Sequence, residues 1–97
     1  MTPEGKVKAK IKSILKDYGV WYTMPVATGY GRAGVPDFLL CFRGRFIAVE
    51  AKAGGNAPTV LQQGVLAAIA ANGGLALVIT DANLHELEDV LCQLNSK

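Results

Sequence analysis

The stretch DFLLCFRGRFIAVEAK, residues 37–52, decides how this chain folds. Asp37 to Phe42 and Arg45 to Lys52 read as two apolar strands joined around Arg43-Gly44, a hairpin turn. Residues two apart on a strand project from the same face, so Glu50 and Lys52 share one, and both interrupt a run that otherwise reads Phe-Ile-Ala-Val. If Arg43-Gly44 is a two-residue loop, Phe42 pairs with Arg45 and the ladder runs back until Asp37 lies opposite Glu50, with Cβ atoms about 5 Å apart. A three-residue loop shifts the register by one, and the two acids then converge only through a bulge or a diagonal arrangement.

Two carboxylates facing each other across a ladder repel unless something positive lies between them. A divalent cation is the natural candidate, and Asp37→Asn is expected to raise the melting temperature of the metal-free protein slightly. Mg²⁺ takes oxygen ligands, keeps several waters and is held by one or two carboxylates plus substrate phosphates, which suits this inventory. His85, Cys41 and Cys92 are too scattered for a zinc site. Lys52 on the same patch suits a phosphodiester hydrolase: it can orient or deprotonate the attacking water and offset charge on the phosphorane. The rival reading of Glu50 and Lys52 alone is a surface ion pair on an edge strand.

Before this hairpin, Thr2, Pro3 and Glu4 form a helix start, and Val7, Ile11, Ile14, Leu15 and Tyr18 follow helical spacing up to Gly19. Lys6, Lys8, Lys10, Lys12 and Lys16 fall mostly on other faces, whereas Glu4 falls on the buried stripe, an odd place for an ordinary surface acid. Val20 to Val26 reads as a β segment closed by Pro25, and residues 27–36 as a glycine-rich loop. After the hairpin, Thr59 and Gln62 give a capping box for a helix through Ala71, stopped by Gly73-Gly74. Leu75 to Thr80 reads as a strand buried on both faces. Asn83 with Glu86 opens a last amphipathic helix carrying Leu84, Leu87, Leu91 and Leu94. The order α-β-β-β-α-β-α implies an α/β fold with a mixed sheet flanked by helices.

Ninety-seven residues, 51% of them hydrophobic, suffice for a single domain over residues 1–97 and no second one. No apolar run is long enough to span a bilayer, and the lysines from Lys6 to Lys12 interrupt any signal-peptide core, so the expectation is a cytoplasmic protein with no membrane partner. Cys41 and Cys92 sit in apolar periodic segments and read as free thiols of the small, buried kind. The net charge of +2 hides an asymmetry: residues 1–52 carry nine Lys/Arg against four Asp/Glu, and residues 53–97 one against four. That polarity suits an anionic partner on one side, such as a nucleic acid backbone, although lysine-rich helix faces are usually just solvated. Arg32, Lys6 and Lys10 are the candidate nucleic-acid contacts. Gly29 to Gly34 matches G-x-G-x-x-G, but Val35-Pro36 and a strand follow where a dinucleotide fingerprint must open a helix, so the match is rejected.

Gly34-Val35-Pro36-Asp37, Glu50-Ala51-Lys52, Thr59-x-x-Gln62 and Gly73, in that order, resemble the PD-(D/E)XK nuclease superfamily and specifically its VRR-NUC branch, whose members serve phage and bacterial replication and repair. The resemblance runs from Glu4 to the closing helix. It implies a restriction-endonuclease-like α-β-β-β-α-β core with an additional C-terminal helix. It further implies that Asp37, Glu50 and the backbone carbonyl of Ala51 bind Mg²⁺ or Mn²⁺, that Lys52 is the catalytic lysine, that Gln62 lines the same site, and that Glu4 is the first-helix acid, reaching the metal through a water. Read without it, Gln62 is a capping-box partner, Glu4 a helix-dipole acid, and His85 incidental. The middle residue Ala51 and the Gly/Asn/Pro-rich loop after Lys52 supply no extra basic contacts. The implied activity is a structure-selective DNA endonuclease in a bacterial or phage-infected cell, cutting branched or four-way DNA as a Holliday-junction resolvase-like homodimer. The dimer contact would lie on the final helix or on Val20 to Val26. The alternatives are a flap or restriction-type nuclease of the same superfamily, and a catalytically silent nucleic-acid-binding module.

Overall fold

The computed structural model describes every residue except Ala27, Thr28, Tyr30 and Lys97. Helix α1 spans Pro3–Tyr18; the Thr2 hydroxyl accepts the Gly5 N–H at 3.0 Å at its start. Gly19 ends it in the left-handed region at φ 68°, where a residue without Cβ pays no steric penalty. Strands β1 (Trp21–Thr23), β2 (Phe38–Phe42) and β3 (Arg45–Ala51) follow, then helix α2 (Val60–Ala71), strand β4 (Leu75–Ile79) and helix α3 (Leu84–Asn95). The strands form one mixed sheet in the order β1-β2-β3-β4, antiparallel up to β3 and parallel between β3 and β4. The parallel pair requires a crossover, and α2 makes it.

Alternation along the strands divides the sheet into two unequal faces. Phe38 and Leu40 of β2, Ile47, Val49 and Ala51 of β3 and Ile79 of β4 join Val7, Ile11 and Leu15 of α1 and Leu87, Leu91 and Leu94 of α3 in one buried core. The opposite face presents Leu39, Cys41, Phe46, Ala48, Glu50 and Val78 to the side of α2. This helix packs on β4 and buries only Leu66, leaving Val60 and Leu61 exposed. Among the described residues no helix packs on that face over β1 and β2. Trp21, Cys41 and Phe46 are register partners in one row across it, and Trp21 is 66% exposed and Phe46 45%.

Several expectations change as a result. Both cysteines are free, as expected, but exposed rather than buried: Cys41 lies on the α2 side of the sheet at a point the helix does not reach, and Cys92 faces outward on α3. The segment Val20 to Val26 contributes only Trp21–Thr23 to the ladder, since only those residues find partners on β2 and Pro25 has no N–H to offer. Asn83 does not cap its own helix with its side chain. Its Oδ1 instead accepts the Thr80 N–H at 2.6 Å, and its Nδ2 donates to the Val78 carbonyl at 2.9 Å, tying α3 to the end of β4. No helix among the described residues is long and apolar enough to cross a membrane.

The glycine loop before β2 lies partly outside the described residues, which exclude Ala27, Thr28 and Tyr30. Its described end leans on α2. At Gly34, φ is 75°, and an added Cβ would sit 2.8 Å from Leu61 Cγ and 3.3 Å from Val65 Cγ2. Gly34→Ala should therefore destabilise the fold by about 1–2 kcal/mol through the left-handed backbone, plus a steric part that Leu61→Ala relieves. Urea unfolding of the single and double variants measures both, and an unchanged midpoint for Gly34→Ala would show that the loop does not rest on the helix.

Candidate metal and phosphodiester site

The hairpin turns through Arg43 at φ 51° and Gly44 at φ 79°, the two positive values a type I′ turn demands. Arginine is a costly occupant of the first position, by roughly 1–2 kcal/mol. Its guanidinium is held by the Asn95 side chain, whose Oδ1 accepts from Nη2 at 2.8 Å and from Nε at 3.2 Å. The tight turn pairs Phe42 with Arg45 and Phe38 with Val49, and one further step brings Asp37 beside Glu50. There the strands exchange bonds: the Asp37 N–H donates to Glu50 Oε1 at 3.2 Å, and the Ala51 N–H donates to Asp37 Oδ2 at 2.9 Å. Each carboxylate is thus oriented by the backbone of the other strand. The expected convergence of the two acids holds, in the two-residue register.

Lysines bracket the pair. Lys52 Nζ lies 3.3 Å from Glu50 Oε2, and Lys8 Nζ lies 3.5 Å from Asp37 Oδ1 and 3.4 Å from Glu4 Oε2. Along the row Glu4, Lys8, Asp37, Glu50, Lys52 the charges sum to −1. Glu50 is 2% exposed; its burial, and then the nearby charge of Asp37, push its pKa above the usual carboxylate value against the pull of Lys52. Burial acts to lower the Lys8 pKa, but Asp37 and Glu4 outweigh it and the net shift is upward. The positive charge required between the acids is therefore supplied in part by the chain itself. Removing the Asp37 charge sets relief at Glu50 against an unpaired Lys8, so repulsion alone does not describe the balance, and the rise in melting temperature expected for Asp37→Asn does not follow.

The donor set suits a hard cation. Asp37 and Glu50 offer anionic oxygens, and the Ala51 carbonyl lies between Glu50 and Lys52 in the chain. Among the described residues no group of three or more His, Cys, Asp or Glu side chains could hold a metal, so waters and a substrate phosphate would have to complete the shell. Glu4 reaches this cluster through Lys8. Gln62 Oε1 accepts the Thr59 N–H at 2.9 Å in a complete capping box, so the helix-cap reading of this residue holds, and its amide nitrogen is the group left without a role in the cap. Lys6 and Lys10 are exposed on α1, and Arg32 lies elsewhere, in a cleft with Arg45 and Phe46; His85 is exposed on α3. Helical spacing alone places Lys8 in solvent, and the structure places it on Asp37 instead. Its signal was present in the spacing of Glu4 and Lys8, an i,i+4 pair on one helix face.

Glu50 sets the pH response. An acid whose folded pKa exceeds its unfolded one opposes folding while ionised, and this opposition disappears as pH falls through the folded value. In EDTA, then, Glu50 contributes a relative gain in stability on acidification over that interval. In Mn²⁺ the increment in melting temperature due to the cation should shrink over the same interval, because proton and cation compete for one carboxylate, and Glu50→Gln should abolish it. Melting curves against pH with Mn²⁺ or EDTA test this; an increment indifferent to pH and retained by Glu50→Gln would remove Glu50 from any cation site. Compared with models of protein families and with curated proteins, the chain matches none.

Proposed function

We propose that this chain is a Mg²⁺ or Mn²⁺ dependent DNA endonuclease of the PD-(D/E)XK type, hydrolysing phosphodiesters by direct attack of water. One observation carries the reading: Asp37 and Glu50 are cross-bonded between adjacent strands, with the Lys52 ammonium 3.3 Å from Glu50. A structural ion pair on an edge strand explains it poorly, since β3 is interior to the sheet and the Glu50 side chain is nearly inaccessible. The strand order and the α2 crossover are compatible with a restriction-endonuclease-like core. Asp37, Glu50 and the Ala51 carbonyl would hold the cation, which when bound lowers the pKa of a water and polarises the phosphoryl oxygen.

The other residues divide the remaining work. Lys52, held on the same strand face as Glu50, places an ammonium where the attacking water and the developing phosphorane charge can both meet it. Lys8 holds Asp37 from the helix side, and Glu4 holds Lys8; both are positioning residues. The silent-module alternative would discard the acids and the lysine first, and all are present. A flap or restriction-type enzyme would share the chemistry and differ in substrate.

As a homodimer on four-way DNA the chain would place twofold-related sites on opposing strands. Of the two surfaces expected to form the contact, α3 spends Leu87, Leu91 and Leu94 on the core, whereas β1 and its continuation keep Trp21 and Val26 exposed at 66% and 80%. The proposed contact is therefore on β1. Linear duplex, flap and four-way junction DNA should be cut in Mg²⁺ or Mn²⁺ and not in EDTA. Lys52→Ala and Asp37→Asn should each lower the rate on the order of a hundredfold or more while DNA binding persists. Cleavage retained by both variants would remove these residues from the mechanism, and a monomer in sedimentation on four-way DNA would count against the resolvase form.

A further inference from the structure

A cleft of about 660 Å³ opens between α2 and the start of β3, lined by Arg32, Arg45, Phe46, Val65, Ile69 and Gly74. Neither the cation site nor its lysines lie in it. Its floor is an aromatic ring that the fold leaves partly uncovered: Phe46 is 45% exposed and packs beside the bare backbone of Gly74, where an added Cβ would come within 3.2 Å of the ring and 2.8 Å of Ile69 Cγ2. Arg45 is fixed at its edge by donating from Nη2 to the Gly73 carbonyl at 3.3 Å, and Arg32 lines the cleft from the glycine loop. A ligand for such a cleft needs a flat apolar body and negative charge beside it.

Its position narrows the choice. Phe46 and Glu50 project from the same face of β3, four residues apart, hence about 13 Å along the strand. Ala48 between them is buried, so a polymer whose backbone phosphate sits at Asp37 and Glu50 would pass over the surface above it and bring a unit about two nucleotides away to Phe46. We infer that the cleft receives one unstacked nucleotide of the DNA strand bound at the acidic site, its base on the Phe46 ring and adjacent phosphates at Arg32 and Arg45. Stacking on an aromatic is indifferent to base identity, so the cleft selects DNA that can release a base from its stack, such as a branch point or a single-stranded end. This deepens the nuclease reading and rests on it for the strand's path, but binding in the cleft needs neither metal nor cleavage.

The test uses fluorescein-labelled short oligothymidylate, and the same oligomer with abasic residues, titrated with the full chain in EDTA and followed by anisotropy. Wild type should bind the oligothymidylate at least fivefold more tightly than the abasic strand. Phe46→Ala should remove that preference, and Arg32→Gln should reduce the dependence of log affinity on log salt by about one phosphate contact. Arg32 is exposed and its replacement leaves the core untouched, so the cleft can be judged even if Phe46→Ala fails to fold. Equal affinity of wild type for the two strands, or an unaltered salt dependence in Arg32→Gln, overturns the inference. If wild type cuts DNA while these results are negative, the cleft fails alone; if it cuts nothing yet shows the base-dependent binding, the nuclease reading fails and the cleft stands.

Discussion

Everything at the candidate site depends on the register that the Arg43-Gly44 turn imposes on β2 and β3. A slip by one residue would exchange the faces of one strand, so that Asp37 and Glu50 would no longer meet and the bonds between Asp37 N–H and Glu50, and between Ala51 N–H and Asp37, would be lost. The same slip would turn Phe38 and Leu40, or Ile47 and Val49, out of the core, where all four are essentially fully buried. Burial of such side chains contributes roughly 1.5–3 kcal/mol each. Apposing two carboxylates costs less than that sum once lysines stand beside them, so the hydrophobic pattern that builds the core also holds the acids in place.

The electrostatics of the site follow from this forced proximity. Glu50 cannot escape to water, because Val49 and Ala51 on either side of it are committed to the core and its own side chain lies under the α2 side of the sheet. A buried charge must be paired or hydrogen-bonded, and Glu50 has one partner of each kind in Lys52 and the Asp37 N–H. Even so its pKa is raised, because burial and the Asp37 charge outweigh these two partners. Lys8 closes the other side from α1, and the cluster keeps a net negative charge in an otherwise positive half of the chain. Net negative charge flanked by the Lys8 and Lys52 ammonium groups gives a hard cation its anionic oxygens and a polyanion two cations at one place.

Much of this was legible from residue order because the signals are local. Thr2, Pro3 and Gly19 bound α1, Thr59 and Gln62 open α2, and the two-residue turn sets the strand pairing, each through contacts a few residues apart. What was not legible depends on how elements cover one another. Helical spacing put Lys8 on a solvent face, and only the arrival of β2 beneath the first turns of α1 gives it Asp37. Cys41 reads as buried on an apolar strand and is exposed because α2 sits over β4. Asn83 reads as a helix cap, yet the end of β4 offers it better partners in Thr80 and Val78.

The offset of α2 has a further consequence for how a substrate could approach. Had the helix lain over the middle of the sheet, it would have covered Phe46 and Cys41 as it already helps to cover Ala48 and Glu50. Gly34 permits the actual placement, since the loop before β2 lies so close to Leu61 and Val65 that a side chain there would clash. The uncovered row of Trp21, Cys41 and Phe46 therefore shares a sheet face with Glu50 and Lys52. Scattered exposed apolar residues need no explanation, but a continuous row on the same sheet face as a charged, partly desolvated site is a surface on which a partner can lie. In the proposed enzyme the inner end of that row guides the DNA through Phe46 and the outer end meets the second subunit through Trp21, so a small chain serves both contacts by leaving half a sheet without a helix.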